Sequence, residues 1–395
     1  MNIFVTGAGI ISAIGGNYQQ NLDSLLNGVS GVAPLQYLKT MYSNMPSGEI
    51  KMDNAQLAQL AGIKADSTLV RTPLLGIIAA REAVNNAGIS NYESKAFVSG
   101  TTVGGMDVME QNYDDFTHNT SKNHLLYPHD IGDSSEYIAD HLGGFSFVTS
   151  ISTACSSGAN AIILGAELIK SGRYDIVVAG GAESLSLYHF NGFNTLKVLD
   201  NKPCRPFDES RAGLNLGEGA GYIVLESEKS VKKRGVKPLC ILSGYANTCD
   251  AFHQTATSDN GEGPYLAMRG ALQLAALNPH EITYINAHGT ATPNNDLTES
   301  VAIKRVFGEK LPLISSTKGF TGHTTSAAGG VEAVFAVMCI NHGFCPPNLN
   351  FSAPIPETGI IPVTKTIKTN ITHVMSNSFG FGGNDTSLIF SKLNN

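Results

Sequence analysis

The position of one cysteine, Cys155, is typical of a nucleophile. Cys155 ends a β-rich run and precedes a helical stretch, within the segment Thr-Ala-Cys-Ser-Ser-Gly at 153–158. A thiol at the N-terminus of a helix lies in a positive field that favours the reactive thiolate, and small neighbours leave room for an electrophile. The segment therefore predicts a nucleophilic thiol. A small buried structural cysteine is the alternative.

Two histidines, a lysine and a glutamate follow in the second half of the chain. His288 comes directly after an apolar run, and Lys318 and His323 stand between a strand and a helix that carries Glu332 nine residues after His323. An ammonium group, imidazoles and a carboxylate in one partly buried site set each other's charge. The pattern favours such a site. Histidines that satisfy turn carbonyls, beside a solvated lysine, are the alternative.

A fourth segment alternates phenylalanine with glycine. Phe379 and Phe381 stand in Asn-Ser-Phe-Gly-Phe-Gly-Gly-Asn at 377–384, after a predicted strand. Glycines expose backbone N–H groups beside bulky apolar rings, which suits an oxyanion and an acyl chain. An ordinary glycine hairpin is the alternative.

The elements that must position these segments form a repeating pattern. Strands are predicted at 2–7, 96–100, 147–152, 175–180, 239–244, 282–287, 313–316 and 373–377, and helices at 73–87, 157–171, 264–277, 293–307 and 326–342. The order of signals matches around residue 235, so we predict a layered α/β fold with two corresponding halves, 1–235 and 236–395. The site then lies beyond the carboxyl ends of the strands and is shared by both halves. Generic β/α alternation is the alternative.

Composition excludes several classes of function. The net charge is −7 and no long basic run occurs, so nucleic acid is a poor candidate for a partner. None of the six cysteines forms a CxxC pair, which argues against a zinc site or a secreted disulfide framework. No window approaches the ~20 apolar residues of a membrane span. We therefore expect a cytoplasmic chain with no metal and no membrane span.

The four segments, in this order, resemble the elongating β-ketoacyl-acyl carrier protein synthases of the thiolase superfamily. The matching motifs are Thr-Ala-Cys-Ser-Ser-Gly, His-Gly-Thr-Ala-Thr-Pro, Ser-Thr-Lys-Gly-Phe-Thr-Gly-His and Asn-Ser-Phe-Gly-Phe-Gly-Gly. The resemblance covers nearly the whole chain. It implies a thiolase-like, duplicated five-layer α-β-α-β-α fold, with an N-terminal half that holds the nucleophile and a C-terminal half that holds the histidine pair.

The resemblance also implies a reaction. Cys155 would be acylated, and the acyl group would condense with malonyl-ACP in a decarboxylative Claisen reaction of fatty acid or polyene/polyketide-type elongation. His288 and His323 would bind the malonyl thioester carbonyl, and Lys318 and Glu332 would organise the histidine pair. No cofactor is implied, because phosphopantetheine arrives on the acyl carrier protein. A homodimer, or a heterodimer with a ketosynthase-like partner, is implied as well.

Further roles carry over from the matched motifs. Thr290 and Thr292 would hold the pantetheine arm, while Asp296 and Glu299 match structural acidic positions of the following helix. The backbone N–H groups of Cys155 and of a phenylalanine in the fourth segment would form the oxyanion hole.

For that oxyanion hole the resemblance indicates Phe379, whose ring would also gate entry to Cys155. Phe381 would contribute a second ring against the acyl chain. Val103, in Gly-Thr-Thr-Val-Gly-Gly at 100–105, resembles the aliphatic residue that meets the bound chain.

Three residues depart from the family pattern. Ala212 and Leu214 stand where aspartate and phenylalanine are usual, and Ser326 stands where glycine is common. Together with the small Val103 they predict a roomier or differently shaped pocket and a specialised substrate. The acidic carrier protein would meet a local basic patch of Lys64, Arg71 and Arg205.

Other readings of the sequence are weaker. The segment Gly-Ala-Gly-Ile-Ile-Ser at 7–12 approaches a dinucleotide fingerprint but lacks its third glycine. The spacing of Cys155 and His288 lies in the papain-like range, yet the local papain signature is absent and the chain has no Trp. Initiating and chalcone-type synthases pair cysteine with histidine and asparagine, so the two histidines of this chain disfavour those classes. A chain-length factor lacks the cysteine, so the presence of Cys155 disfavours that role. A non-catalytic binding role with a decayed site is a further alternative.

Overall fold

The computed structural model describes residues 2–64, 70–90, 94–116 and 118–393. Its strands are β1 (Ile3–Ser12), β2 (Ala96–Gly100), β3 (Phe147–Ile151), β4 (Ile176–Glu183), β5 (Gly219–Ser227), β6 (Cys240–Cys249), β7 (Tyr284–Asn286), β8 (Leu313–Ser315), β9 (Phe344–Cys345), β10 (Ile367–Lys368), β11 (His373–Gly380) and β12 (Asn384–Ser391).

The α-helices alternate with these strands. They are α1 (Tyr18–Asn27), α2 (Asn54–Ala61), α3 (Arg71–Asn86), α4 (Met106–Gln111), α5 (Tyr113–Phe116), α6 (Ile131–His141), α7 (Ser157–Lys170), α8 (Leu187–Thr195), α9 (Glu228–Arg234), α10 (Glu262–Ala275), α11 (Pro293–Phe307), α12 (Lys318–Thr321) and α13 (Ala328–His342). Short 3₁₀ helices cover Thr120–His129, Pro279–Glu281 and Thr325–Ala327.

Strand order is the same in the two halves. Ten strands form one hydrogen-bonded sheet in the order β3-β2-β4-β5-β1-β6-β12-β11-β7-β8, and β1 meets β6 only over Ile3–Val5. Read outward from that junction, β1-β5-β4-β2-β3 corresponds to β6-β12-β11-β7-β8. The symmetry supports two corresponding halves, while the boundary at residue 235 stays a prediction.

Five layers result from the packing. Helix α3 covers the outer face of β1 and β5, and α10 covers β6 and β12. Helices α7 and α13 pack on each other between the two halves of the sheet, where α13 contacts both β5 and β11. Helix α13 is buried over nearly its whole length because it has strands on two sides. The thiolase-like α-β-α-β-α architecture is confirmed.

Strands β5 and β12 were not predicted from the sequence, although both are central. In β5 the glycines weaken the β signal, yet they are required by packing. A Cβ on Gly221 would lie 2.5 Å from the backbone nitrogen of Val331 on α13. The glycine therefore permits close approach of the buried helix, which is a tertiary requirement that local propensity does not report.

None of the helices in the described ranges is long and apolar enough to cross a membrane.

Candidate active site

Cys155 sits on a strained turn between β3 and α7. The preceding residue, Ala154, has a φ of 52°, a left-handed conformation that non-glycine residues rarely adopt. The hydroxyl of Ser157 donates to the carbonyl of Ala154 at 2.6 Å and accepts from the backbone N–H of Thr153 at 2.9 Å. These two bonds hold the turn that presents the thiol.

The thiol of Cys155 faces His323. Its Sγ lies 3.1 Å from Nε2 of His323, and both side chains are buried. Burial raises the pKa of Cys155 to about 11, although the charge of Lys318 acts in the opposite direction. Burial therefore outweighs the effects that favour the thiolate. A protonated thiol needs a base, and His323 is in hydrogen-bond reach.

His288 is held from two sides. Its backbone N–H and that of Gly289 donate to the carboxylate of Glu299, at 2.9 and 2.8 Å. Its ring Nδ1 lies 3.4 Å from Nζ of Lys318. An ammonium group can only donate, so Nδ1 is the acceptor and the ring proton resides on Nε2. The Nε2–H group of His288 is therefore a donor on the side of the ring that faces away from Lys318.

Lys318 and Glu332 form a buried ion pair behind the histidines. Nζ and Oε1 are 2.6 Å apart, and the two side chains are 2% and 3% exposed. The pair places Glu332 directly beside Lys318, as the resemblance implies for the two groups. Burial, followed by the charge of Lys318, lowers the pKa of His288 and His323 well below the ordinary value. Both imidazoles are neutral at physiological pH.

The turn after β11 supplies a backbone donor at the thiol. The N–H groups of Phe381 and Cys155 interact with the sulfur and lower the Cys155 pKa, against the larger effect of burial. The prediction that Phe379 provides this donor is wrong, because β11 continues to Gly380 and the N–H that acts on the thiol is that of Phe381 in the turn that follows. The Phe379 ring instead lies 5.7 Å from the His288 ring, and Phe381 stacks on Phe193 at 5.6 Å.

These groups converge on one cavity of about 290 Å³. Its lining includes the predicted Cys155, His288, His323, Thr290, Thr292, Phe379, Phe381 and Leu214. The hydroxyls of Thr290 and Thr292 are 2.8 Å apart. An apolar wall with a few convergent polar groups is typical of a site for a small apolar ligand on a polar arm.

Val103 lies outside that lining. It is buried, and its backbone N–H donates to Glu183 at 3.3 Å. A contact between Val103 and a bound chain therefore stays a prediction.

The acidic residues matched on α11 have structural roles. Asp296 accepts the backbone N–H groups of Phe207 at 2.7 Å and of Ala291 at 3.0 Å, and Glu299 holds the His288 turn as described. Ala291 has a φ of 67°, so Asp296 stabilises a second strained turn in the wall of the site.

The predicted basic patch is smaller than expected. Arg71 is buried and makes two hydrogen bonds to Glu218, at 2.9 and 2.6 Å. It is therefore a core ion pair and not a contact for a carrier protein. Arg205 is bound to Asp200 at 2.6 Å, with a side chain 15% exposed. Lys64 is exposed.

Sequence reasoning missed part of the cavity wall. The other lining residues come from loops and from the ends of helices and strands, namely Phe193, Val198, Thr255, Ala256, Thr257, Pro293, Asn294, Asn295, Gly380 and Gly383. No local motif marks the loop residues around 255. The two phenylalanine rings in contact, Phe193 and Phe381, are 188 positions apart in the chain, so only the fold brings them together.

Comparison with known proteins agrees with this architecture. Residues 1–230 match the family described as "Beta-ketoacyl synthase, N-terminal domain", and residues 239–352 match "Beta-ketoacyl synthase, C-terminal domain". The fold and the buried cysteine at the start of α7 thus define a ketosynthase-type, thiolase-like protein. The chain belongs to the β-ketoacyl synthase family.

Individual relatives are similar over their full length. A "3-oxoacyl-[acyl-carrier-protein] synthase 2" of Staphylococcus aureus (strain MRSA252) is 34% identical, and the alignment covers 100% of this chain and 99% of that protein. Among solved structures, "The ishigamide ketosynthase/chain length factor" has a TM-score of 0.93 with 31% identity, over 100% and 99% of the two chains. A ketosynthase (ApeO) in complex with its chain length factor (ApeC) from Xenorhabdus doucetiae has a TM-score of 0.87 with 30% identity, over 99% and 98%.

Proposed function

We propose that this chain is a β-ketoacyl-ACP synthase, which joins a Cys155-bound acyl group to malonyl-ACP with loss of CO₂. The carrying observation is that one cavity holds the Cys155–His323 pair together with His288, whose tautomer Lys318 sets. The 34% identity to a protein named 3-oxoacyl-[acyl-carrier-protein] synthase 2 supports the same reaction.

Acylation uses the thiol and the adjacent imidazole. His323 Nε2 takes the thiol proton while Sγ attacks the acyl thioester carbonyl, and the N–H groups of Cys155 and Phe381 stabilise the oxyanion. The C–S bond to the carrier then breaks, and the departing pantetheine thiolate receives the proton. The imidazole returns to its neutral form, which burial and Lys318 favour.

Condensation uses both histidines. The Nε2–H of His288 donates to the malonyl thioester carbonyl. Once Cys155 is acylated, no thiol proton faces His323, so its neutral ring can carry its proton on Nε2 and donate to the same oxygen. The bond to the malonyl carboxylate breaks, CO₂ leaves, and its electron pair forms an enolate that these donors stabilise. The enolate carbon attacks the Cys155 acyl carbonyl. Collapse releases the Cys155 thiolate, which takes up a proton, and a β-ketoacyl group remains on the carrier.

The pantetheine arm and the acyl chain need different surfaces. The hydroxyls of Thr290 and Thr292 can bond the amides of a pantetheine arm as it enters the cavity. Phe193, Leu214 and Phe381 form its apolar wall. The similarity to two ketosynthases that are paired with a chain length factor supports polyketide-type or polyene-type chains as substrates.

Dimerisation is part of the proposal. Strand β3 is an edge of the ten-stranded sheet, and each of its five residues is only half buried. An open edge is a template for pairing with another chain. A second copy, or a ketosynthase-like partner of the kind named with the similar structures, would cover it.

Intact-mass spectrometry tests the reaction in two steps. Incubation with acyl-ACP should add one acyl group to the enzyme, and Cys155→Ala should add none. Malonyl-ACP should then remove the acyl group and yield β-ketoacyl-ACP. An acyl-enzyme that malonyl-ACP never discharges would contradict the condensation.

A further inference from the structure

Glu183 is a buried carboxylate that the proposed chemistry does not use. It ends β4 and is fully buried. Its Oε1 accepts from the hydroxyl of Thr101 at 3.0 Å, and its Oε2 accepts from the backbone N–H groups of Thr102 at 2.7 Å and Val103 at 3.3 Å. A buried carboxylate is costly unless such donors satisfy it. Glu183 therefore fixes the turn that follows β2.

A second segment is attached to the same carboxylate. The hydroxyl of Ser326, which is fully buried, donates to Oε2 of Glu183. Ser326 lies three residues after His323, in the short 3₁₀ helix before α13. The segment that carries the candidate base is thereby joined to Glu183.

The turn after β2 in turn contacts the nucleophile turn. The hydroxyls of Thr102 and Ser157 are 3.5 Å apart, and Ser157 donates to the carbonyl of Ala154, the residue before Cys155. A Cβ on Gly100 would lie 2.4 Å from the backbone nitrogen of Gly158, so the end of β2 lies directly against the start of α7. Movement of one turn must therefore displace the other.

The second half of the chain contains the same device. Glu299 accepts two successive backbone N–H groups in the turn after β7, those of His288 and Gly289. Strand β7 corresponds to β2 in the sheet order. Burial raises the pKa of both Glu183 and Glu299 to about 7, so the two carboxylates are in similar surroundings. Each half thus holds its turn with one buried carboxylate.

We propose that Glu183, through Ser326, is a positioning residue that holds the His323 segment and the Cys155 turn at the separation required for proton transfer. The inference rests on the proposed function only in that His323 acts as the base for Cys155. Without the Ser326 hydroxyl, the His323 segment is no longer bonded to Glu183. Proton transfer then slows, because Sγ of Cys155 and Nε2 of His323 move out of hydrogen-bond distance.

Alkylation by iodoacetamide measures this coupling without any acyl carrier protein. Peptide mass spectrometry follows Cys155 and the exposed Cys249 in the same sample, so Cys249 serves as an internal reference. Ser326→Ala should lower the rate at Cys155 by ~10-fold, the scale of a sub-ångström misplacement, and leave Cys249 unchanged. Glu183→Gln should stay within ~3-fold, because its amide oxygen still accepts from Thr102, Val103 and Ser326, while its NH2 can donate to the hydroxyl of Thr101.

Ser230→Ala is the matched control. Ser230 also donates to a buried glutamate, Glu226, at 2.6 Å, but it lies on α9 and outside the cavity. It should not change the rate at Cys155. A general loss of packing would slow Cys155 in both serine variants and would overturn the proposal, as would a wild-type rate in Ser326→Ala.

A double-mutant cycle separates positioning from a structural role. If Ser326 acts through His323, Ser326→Ala should add no further loss in a His323→Ala background. An equal loss in both backgrounds would overturn the coupling. Because alkylation needs neither malonyl nor acyl-ACP, failure of wild type to condense these substrates would refute the proposed function and leave the cycle interpretable.

Discussion

The Sγ atom of Cys155 lies 3.1 Å from Nε2 of His323, whereas Lys318 contacts the other histidine, His288. The two imidazoles are 5.3 Å apart and nearly perpendicular. We infer from this asymmetry that the tasks of the two histidines overlap only in part. In the proposed reaction His323 serves the thiol and also binds the malonyl carbonyl, whereas His288 binds the malonyl carbonyl alone.

Replacement of each histidine by alanine should therefore affect the half-reactions differently. His288→Ala should slow malonyl decarboxylation by ~10²-fold or more, the cost of a lost oxyanion donor, and leave acylation of Cys155 within a few fold. His323→Ala should slow both. Acyl-enzyme mass and released CO₂ measure the two steps. Equal loss of acylation in both variants would show that the two histidines do not have the different roles that their contacts with Cys155 and Lys318 indicate.

Lys318 should contribute to decarboxylation and to thermal stability through two different contacts, which can be tested separately. Lys318→Met leaves Glu332 buried without its partner, which typically costs ~3–5 kcal/mol, and frees the tautomer of His288. The pair of changes Lys318→Met and Glu332→Leu should restore much of the thermal stability while decarboxylation stays ~10²-fold slow. Recovery of both properties together would mean that the ammonium acts only as a structural partner.

Carrier recognition should depend on Lys64 and not on Arg71. Lys64→Glu should raise the KM for acyl-ACP by ~3–10-fold at low salt, with a smaller effect at high salt, and leave free pantetheine thioesters unaffected. Arg71→Gln should lower the melting temperature instead, because it leaves the Glu218 carboxylate buried and unpaired. A KM for acyl-ACP that is unchanged in Lys64→Glu would move the docking surface elsewhere.

The chemistry of the site was predictable where it is local. Cys155, His288, Lys318 and His323 each follow a strand within a short motif, so residue type and position predicted them. Arg71 was predicted on the surface because nothing nearby in the chain marks its partner, Glu218, which lies 147 residues away.

Other differences have the same physical origin. Phe379 and Phe381 have the same side chain two residues apart, and only the path of the turn after β11 decides which N–H faces the thiol. The wall is formed in part by Phe193 of α8 and by Thr257 of a loop, which are far apart in the chain and which no shared motif connects. Strands β5 and β12 carry glycine-rich or polar runs whose β conformation depends on their neighbours.

Chain selection should respond to Leu214 more than to Val103. Leu214 lines the cavity, and Val103 does not. Leu214→Phe narrows the apolar wall and should lower kcat/KM for long acyl chains by ~10-fold or more relative to short ones. Val103→Phe should mainly destabilise the fold, by ~1–3 kcal/mol, because it overpacks a buried position. Competition between short and long acyl-ACP reports the first effect, and thermal unfolding the second. Equal shifts in chain preference would place both residues on the acyl path.

Asp385 should make stability depend on pH. Burial, followed by repulsion from Asp250 and Glu299, raises its pKa to about 8, and its Oδ2 has no hydrogen-bond partner among the described residues. The unfolded chain ionises this group near ~4, so between pH ~4 and ~8 the folded state binds one proton more than the unfolded state. The free energy of unfolding must therefore fall as pH rises through this window and level off above it.

Asp385→Asn removes that proton linkage and keeps the shape of the side chain. The stability of wild type relative to Asp385→Asn should decline from pH 5 to pH 8 by up to ~1.4 kcal/mol per pH unit. Denaturant unfolding at several pH values gives the difference, in which Glu183 cancels because both proteins contain it. Asp250→Asn removes one source of repulsion and so lowers the pKa of Asp385. In this variant the fall in the free energy of unfolding should therefore end at a lower pH than in wild type. Parallel curves for wild type and Asp385→Asn would show that Asp385 is already ionised in the folded protein.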